Sequence, residues 1–343
     1  MKKNFFLTDV MGTDNSHLII EYLKLASESI DSTDSFYKLH NFNLEKYSRF
    51  FAIIDHRTSN RDIWQNVDYW KDLSYRINFL KQRGFVFLIG QPWESKENME
   101  DFQSYDQFLK NVKYMTWEGN TDWFWFFMYQ KHKNHSFNFD HSKKCKDFLY
   151  LNKRARAHRL KLFKELNRKK LLENSIFSFI DKPYGINLTS NYELPQVINY
   201  PNYGLDHEIY ELPYNHSAIS LISETNVEND KIFFTEKIWK AIIAKHIFIV
   251  HGKANYLKKL REMGFKTFET FFDELYDLET DQDEKIIKII KLCEKIQNLD
   301  YKKLYKETEE IRNHNYKNFF SLNILKKNID DNLSNFFKFF DRS

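Results

Sequence analysis

Short apolar runs alternate with helical patterns along the chain. In the first half, residues 47–54 and 84–90 are rich in aromatic and β-branched side chains, which predicts two buried strands. The apolar positions of residues 64–83 have helical spacing, so we predict a helix between these strands and a parallel β-α-β unit. Between residues 100 and 143 the pattern is less regular, and residues 114–129 are strongly aromatic.

The second half of the chain repeats this alternation more clearly. Strands are predicted at 148–151, 176–180, 218–222 and 247–250, with a shorter one at 266–268. Helices are predicted near 156–171, at 236–245 and at 254–263, and nearly all of the chain after residue 282 has a helical pattern. Strands and helices that alternate at these lengths indicate a parallel sheet with right-handed crossovers.

Length and composition set the number of domains that we expect. A chain of 343 residues is longer than one hydrophobic core usually serves, so we expect an α/β protein of two domains. We place an N-terminal α/β domain at 1–144, a C-terminal α/β domain at 145–325 and a last helix at 326–343. The composition, 42% hydrophobic with 33 Phe and 20 Tyr, excludes a disordered chain.

The overall charge points to no particular partner. A net charge of +4, from 52 basic and 48 acidic residues, requires neither nucleic acid nor a membrane surface. Cys145 and Cys293 are expected to be reduced thiols. No stretch approaches the ~18 uncharged apolar residues of a membrane span, and the basic N-terminal run lacks the apolar stretch of a signal peptide. We therefore expect a cytoplasmic protein, of a cell or of an infected host.

The most informative local feature is Thr235-Glu236-Lys237, at the predicted start of helix 236–245. Thr235 is a good N-cap residue, and Glu236 suits the positive end of the helix dipole. Lys237 opposes that dipole and would be better tolerated beside an anion, which the free N–H groups of a helix start also attract. A diphosphate would satisfy both features. The alternative is an ordinary capped amphipathic helix with Lys237 in solvent.

A second feature is a basic run at 153–170, which holds nine Lys or Arg residues and one acidic residue, Glu165. Arg159 precedes the apolar stripe of the predicted helix, and its planar guanidinium suits bidentate binding of phosphate oxygens. The alternatives for this run are a solvated basic face or a nucleic-acid patch.

The order of these features resembles the donor site of the α-1,3-fucosyltransferase family. Members carry a Glu-Asn-Ser-type segment, a spacer, an aromatic-Val-Thr-Glu-Lys segment that opens a helix, and then a strand. This chain has Glu224-Thr225-Asn226, a spacer, Phe234-Thr235-Glu236-Lys237 and an apolar run. The resemblance covers 217–268 and reaches loosely back to 148. Residues 257–268 are also similar to uncharacterised glycosyltransferase-like proteins of phages and large viruses.

The resemblance implies a GT-B-like fold, with two Rossmann-like domains, a donor cleft between them and a helical C-terminal tail. It also implies transfer of a sugar from a nucleotide sugar, with a GDP-fucose-like donor favoured, to a hydroxyl acceptor, with inversion and without a metal or other cofactor. Glu236 would hold the ribose, while Lys237 and Arg159 would bind the diphosphate. Thr235 would open the donor-site helix, and Glu224 and Asn226 would lie at the sugar end of the donor.

An inverting transfer needs a base for the acceptor hydroxyl, and cations that stabilise the leaving diphosphate. Glu94 and Asp55 are our candidates for that base, because each follows a predicted parallel strand, where α/β sheets place their sites. Trp117 and Trp123, within the aromatic segment 114–129, are candidate contacts for a glycan or other hydroxyl acceptor.

Several other motifs are excluded or interpreted as structural. Asp281-Gln282-Asp283 precedes a late helix and is interpreted as a solvated turn, and His132, His135 and His141 lack ligand partners at zinc spacing, so we predict no metal. No Gly-x-Gly-x-x-Gly or Walker loop exists, which argues against a dehydrogenase or a P-loop ATPase. Two functional alternatives stay open: a nucleic-acid-binding protein that uses the 153–170 helix, or a glycosyltransferase that acts on modified DNA.

Overall fold

The computed structural model describes residues 3–7, 16–25, 31–33, 36–54, 75–76, 78–82, 85–90, 113–116, 120–152, 155–179, 207–225, 227, 232–297 and 299–341. The chain divides into two compact units, one of Met1–Trp123 with Lys326–Ser343 and one of Phe124–Leu325. By this division the expected boundary at 144/145 lies within the second unit, and the domain limits drawn from the sequence stay a prediction.

The first unit contains a parallel sheet with the strand order β2-β1-β3-β4-β5. Its strands are β1 Lys3–Leu7, β2 Asp31–Thr33, β3 Tyr47–Ile54, β4 Phe85–Gly90 and β5 Lys113–Thr116. The two strands predicted in this half are confirmed as β3 and β4, which pair directly. Phe50 and Phe51 of β3 point to opposite faces of the sheet and are both 0% exposed, as expected of a central strand that is covered on both sides.

The second unit contains a parallel sheet with the strand order β7-β6-β8-β9. Its strands are β6 Lys146–Asn152, β7 Ile176–Phe179, β8 Ser217–Ser223 and β9 Ile247–His251, which confirms the four longer strands predicted there. Every residue of β8 and of β9 is buried, which explains their nearly unbroken apolar runs. The direction of chain winding reverses between β6 and β8, so this pair is the topological switch point of the sheet.

Helices alternate with these strands and then form the C-terminal part of the chain. The described α-helices are α1 Ser16–Lys24, α2 Asn120–His132, α3 Ala157–Arg168, α4 Glu211–His216, α5 Glu236–Ile243, α6 Tyr256–Glu262, α7 Gln282–Ile296, α8 Tyr301–Glu307, α9 Glu309–Phe319 and α10 Leu322–Asp341. Two parallel sheets with helical crossovers confirm the expected α/β class with two Rossmann-like units, and α7 to α10 are the helical C-terminal part. No described helix is both long enough and apolar enough to cross a membrane.

An aromatic cluster anchors α5 within the second unit. Trp239 of α5 is 0% exposed and stacks on Trp125 of α2, with 5.5 Å between the ring centroids. The ring centroid of Phe319, at the end of α9, lies 6.0 Å from that of Trp239. The carbonyl oxygen of Phe319 accepts a hydrogen bond from Nε1 of Trp125 at 2.9 Å. Large buried rings make strong packing contacts. Aromatic packing at Trp239 therefore fixes the position of α5 in the second unit.

The prediction of a short strand at 266–268 is wrong. Side chains, and not a neighbouring strand, make the hydrogen bonds to the backbone of this segment. The side-chain amide of Asn315 makes two hydrogen bonds to the backbone of Lys266. It accepts from the N–H of Lys266 and donates to the carbonyl oxygen of Lys266, both at 2.8 Å. The backbone N–H of Phe268 donates to Oε1 of Glu274 at 2.9 Å. The apolar pattern marks a buried loop at this point.

Candidate functional site

The structure brings five predicted donor-site residues together at the carboxyl ends of β6 and β8. They are Arg159, Glu224, Thr235, Glu236 and Lys237. Arg159 lies in the first turn of α3, which follows β6, and Glu224 directly follows β8. Open α/β sheets bind ligands at the carboxyl ends of the strands that flank the switch point, so this position is the expected one for a ligand site.

Thr235 caps α5 and so fixes the start of this helix. It has extended backbone angles, and its hydroxyl oxygen accepts from the backbone N–H of Lys237 at 3.4 Å. The same hydroxyl donates to Oε2 of Glu224 at 2.6 Å. A hydroxyl has a single proton, so Glu224 determines which way it points and leaves its lone pairs toward Lys237.

The carboxylate of Glu224 is fully occupied by protein donors. The side chain is 0% exposed. Oε1 accepts from the backbone N–H of Thr235 at 3.2 Å and from the hydroxyl of Tyr256 at 2.6 Å, and Oε2 accepts from the Thr235 hydroxyl and from the backbone N–H of Thr225. These contacts favour a positioning role for Glu224 over direct contact with a sugar, and the donor contact stays a prediction.

Lys237 places a cation at the same point. Its ammonium pairs with Oε1 of Glu236 at 2.8 Å and donates to the hydroxyl oxygens of Thr225 and Thr235 at 3.3 and 3.2 Å. Burial alone would raise the pKa of Glu236, but Lys237 and Lys240 outweigh that effect and hold the pKa at about 2. Glu236 is therefore an anion at neutral pH.

Two arginines approach from the start of α3. Arg159 is 3% exposed, and its NH2 group lies 3.2 Å from the carbonyl oxygen of Glu224 and 3.4 Å from the hydroxyl oxygen of Thr225. Arg156, the N-cap residue of α3, donates to the carbonyl oxygen of Thr225 at 2.6 Å. Thr225 therefore contacts three cationic side chains, those of Arg156, Arg159 and Lys237. Neither Arg156 nor Thr225 is among the site residues predicted from the sequence.

Two histidines complete the site and were also missed. Nε2 of His158 lies 3.0 Å from the carbonyl oxygen of Glu224, so this nitrogen carries the proton. His251, at the end of β9, contacts Ser223 and Gln282 through its two ring nitrogens. Burial lowers the pKa of His158 to about 4 and that of His251 to about 3, so both rings are neutral near pH 7. The positive charge of the site therefore comes from its Arg and Lys residues.

The motif Asp281-Gln282-Asp283 is a helix cap. Oδ1 of Asp281 accepts from the backbone N–H groups of Asp283 at 2.8 Å and Glu284 at 3.0 Å, at the start of α7. Among the described residues, no group of three His, Cys, Asp or Glu side chains could hold a metal ion.

The remaining predicted site residues fall into two groups. Asp55, Glu94, Trp117 and Asn226 lie outside the described residues. Trp123 is 2% exposed, with its ring centroid 5.5 Å from that of Tyr22. This burial favours a packing role, and contact of Trp123 with an acceptor stays a prediction.

Several cations of the basic run are paired with acidic side chains. Within its described part, 155–170, Lys161 pairs with Asp283, Arg168 with Glu165 at 2.6 Å and Lys169 with Glu294 at 2.8 Å. Arg156 and Arg159 turn toward Thr225 instead. Some cations of the basic run therefore form surface ion pairs, and others belong to the candidate site. That the run binds nucleic acid stays a prediction.

No family model and no curated protein matches this chain. Among solved structures, the chain is similar to a crystal structure of an α1,3-fucosyltransferase with GDP-fucose. The TM-score is 0.32 at 10% sequence identity, over 91% of this chain and 90% of that chain. A likeness this distant does not establish a family.

Proposed function

We propose that the protein is a glycosyltransferase that transfers a sugar from a nucleotide-sugar donor to a hydroxyl acceptor. A GDP-fucose-like donor, inversion at the anomeric carbon and independence of a metal are parts of this proposal. The position of the site supports it, because the carboxyl ends of β6 and β8 flank the switch point of a parallel sheet, where nucleotides bind in open α/β folds.

One observation carries the proposal. Two cations from the first turns of different helices, Arg159 of α3 and Lys237 of α5, converge on the hydroxyl oxygen of Thr225. The N-terminus of α5 is the positive end of its helix dipole and adds positive potential at the same place. A diphosphate fits this arrangement better than a neutral ligand, because its charge is matched from both helices.

The chemistry follows from the same residues. Arg159 and Lys237 would bind the diphosphate and stabilise the charge that grows on it as the sugar leaves. Glu236, an anion beside Lys237, would accept hydrogen bonds from ribose hydroxyls. Glu94 or Asp55 would take the proton from the acceptor hydroxyl. The acceptor would be a glycan or another hydroxyl compound, with modified DNA as an alternative.

Nucleotide binding tests this proposal directly. The apparent unfolding temperature is measured with GDP, GDP-fucose, UDP and UDP-glucose, and we expect the GDP compounds to raise it most. Lys237→Ala should weaken GDP binding by about 10-fold, the loss of one charge-assisted hydrogen bond. Lys161→Ala is the matched control, because Lys161 is half exposed on α3 and pairs with Asp283. If no nucleotide raises the unfolding temperature, the donor site does not exist.

A further inference from the structure

The backbone N–H, the carbonyl oxygen and the hydroxyl oxygen of Thr225 all make hydrogen bonds to neighbouring protein groups. Its backbone N–H donates to Oε2 of Glu224 at 3.2 Å, and its carbonyl oxygen accepts from Arg156 at 2.6 Å. Its hydroxyl oxygen lies 3.3 Å from Nζ of Lys237 and 3.4 Å from NH2 of Arg159. The side chain is nevertheless only half-buried, so it is accessible to a small ligand.

The direction of these hydrogen bonds is fixed by chemistry. Lysine and arginine have donors only, so Lys237 and Arg159 must each use a lone pair of the Thr225 hydroxyl. A hydroxyl has two lone pairs and one proton. Within the described part of the chain, both hydroxyl contacts of Thr225 are with donors, so neither takes its proton. That proton points away from both cations.

We propose that the hydroxyl of Thr225 donates its hydrogen bond to a phosphate oxygen of the ligand, and that it selects for an acceptor-only anion at this position. The inference rests on the proposed function and deepens it. Two adjacent cations withdraw electron density from the hydroxyl and make it a stronger donor. A phosphate oxygen that accepts this hydrogen bond also gains the attraction of Lys237 and Arg159. A ligand group that can only donate would find both lone pairs of the Thr225 hydroxyl already occupied.

The competing explanation is that Thr225 is only a structural link between α3 and α5. The two explanations differ in what happens to ligands with and without phosphate. A structural link would affect binding of every ligand and the stability of the fold alike. A donor to phosphate would affect phosphate-containing ligands only.

The test compares Thr225→Val, which keeps the shape but removes the hydroxyl, with Thr225→Ser, which keeps it. Calorimetry measures the Kd of inorganic pyrophosphate, GDP and guanosine for the full chain. We expect Thr225→Val to weaken pyrophosphate and GDP binding by about 10-fold, the worth of one charge-assisted hydrogen bond. Thr225→Ser should stay within about 3-fold of the native chain, and guanosine binding should not change. If the valine variant does not fold, Thr225→Ala takes its place.

Three results would overturn the inference. Equal pyrophosphate binding by the native chain and the valine variant means that the hydroxyl contacts no phosphate. An equal loss for guanosine means that Thr225 is a structural link. If the native chain binds neither GDP nor pyrophosphate, the proposed function fails together with the inference, whereas either of the first two results leaves the proposed function intact.

Discussion

Replacement of Glu224 by alanine should be among the most destabilising single changes in the second unit. Glu224 is 0% exposed and joins the end of β8 to the N-cap of α5 and to the first residue of α6. Its removal leaves donors of Thr235 and Tyr256 without an acceptor in the interior.

The loss of stability follows from the number of buried donors that lose their acceptor. Three buried hydrogen bonds lose their acceptor: those from the Thr235 backbone, the Thr235 hydroxyl and the Tyr256 hydroxyl. An unsatisfied buried donor costs about 1 to 3 kcal/mol. The Thr235 hydroxyl can rotate to another partner, and the alanine cavity can admit water, so we expect a total of about 3 to 5 kcal/mol, as for the breakage of a buried charged pair. Tyr256→Phe removes one donor and keeps the carboxylate, and should cost only about 1 kcal/mol.

Urea unfolding measures these free energies, with Glu262→Ala as the control. Glu262 is half exposed and pairs loosely with Lys259 at 3.5 Å, so its loss should cost no more than about 0.5 kcal/mol. A loss of less than about 1 kcal/mol for Glu224→Ala would contradict this prediction, because it would mean that the interior supplies other acceptors for these donors.

Two further changes test the surroundings of the site. Burial, and to a lesser extent the nearby His158, lower the pKa of His251 to about 3. In the unfolded chain this imidazole has its ordinary pKa of about 6.5, so it is protonated there before it is protonated in the folded chain as the pH falls. The free energy of unfolding should therefore fall between about pH 6.5 and pH 3. His251→Gln should reduce that slope by up to about 1.4 kcal/mol per pH unit in urea titrations, and an unchanged slope would contradict the assignment. Gly252→Ala would place a Cβ atom 2.8 Å from Cδ2 of Tyr256, whose ring is 1% exposed, and should cost about 1 to 3 kcal/mol in the same assay. A neutral effect would mean that this ring can shift.

The strands that could be predicted from the sequence are those with a concentrated run of apolar residues. β3 has the predicted limits, 47–54, because its aromatic and β-branched residues are concentrated between Tyr47 and Ile54 and polar residues flank both ends. β2 was missed, since Asp31–Thr33 is three polar residues with no period to detect. At 266–268 a strand was predicted where the structure has a loop, because a buried loop has the same apolar pattern as a buried strand.

The parts of the site that could be predicted are local. The cap at Thr235 needs only the residues up to Lys237, and helix-start chemistry is visible over such a span. Thr225 depends on contacts with Arg159, which is 66 positions away, and Glu224 depends on Tyr256, 32 positions away. No rule of spacing predicts such contacts. They follow only from the strand order of the sheet.

That strand order also explains why one threonine contacts cations from two helices. The chain leaves β6 through α3 toward β7 on one side, and leaves β8 through α5 toward β9 on the other. Right-handed crossovers in opposite directions place α3 and α5 on opposite faces of the sheet, with their N-termini at the same edge. Arg159 and Lys237, each in a first turn, therefore approach the end of β8 from both faces, and Thr225 lies between them. The proposed diphosphate would present negative charge to both helices, which a single carboxylate would do less well.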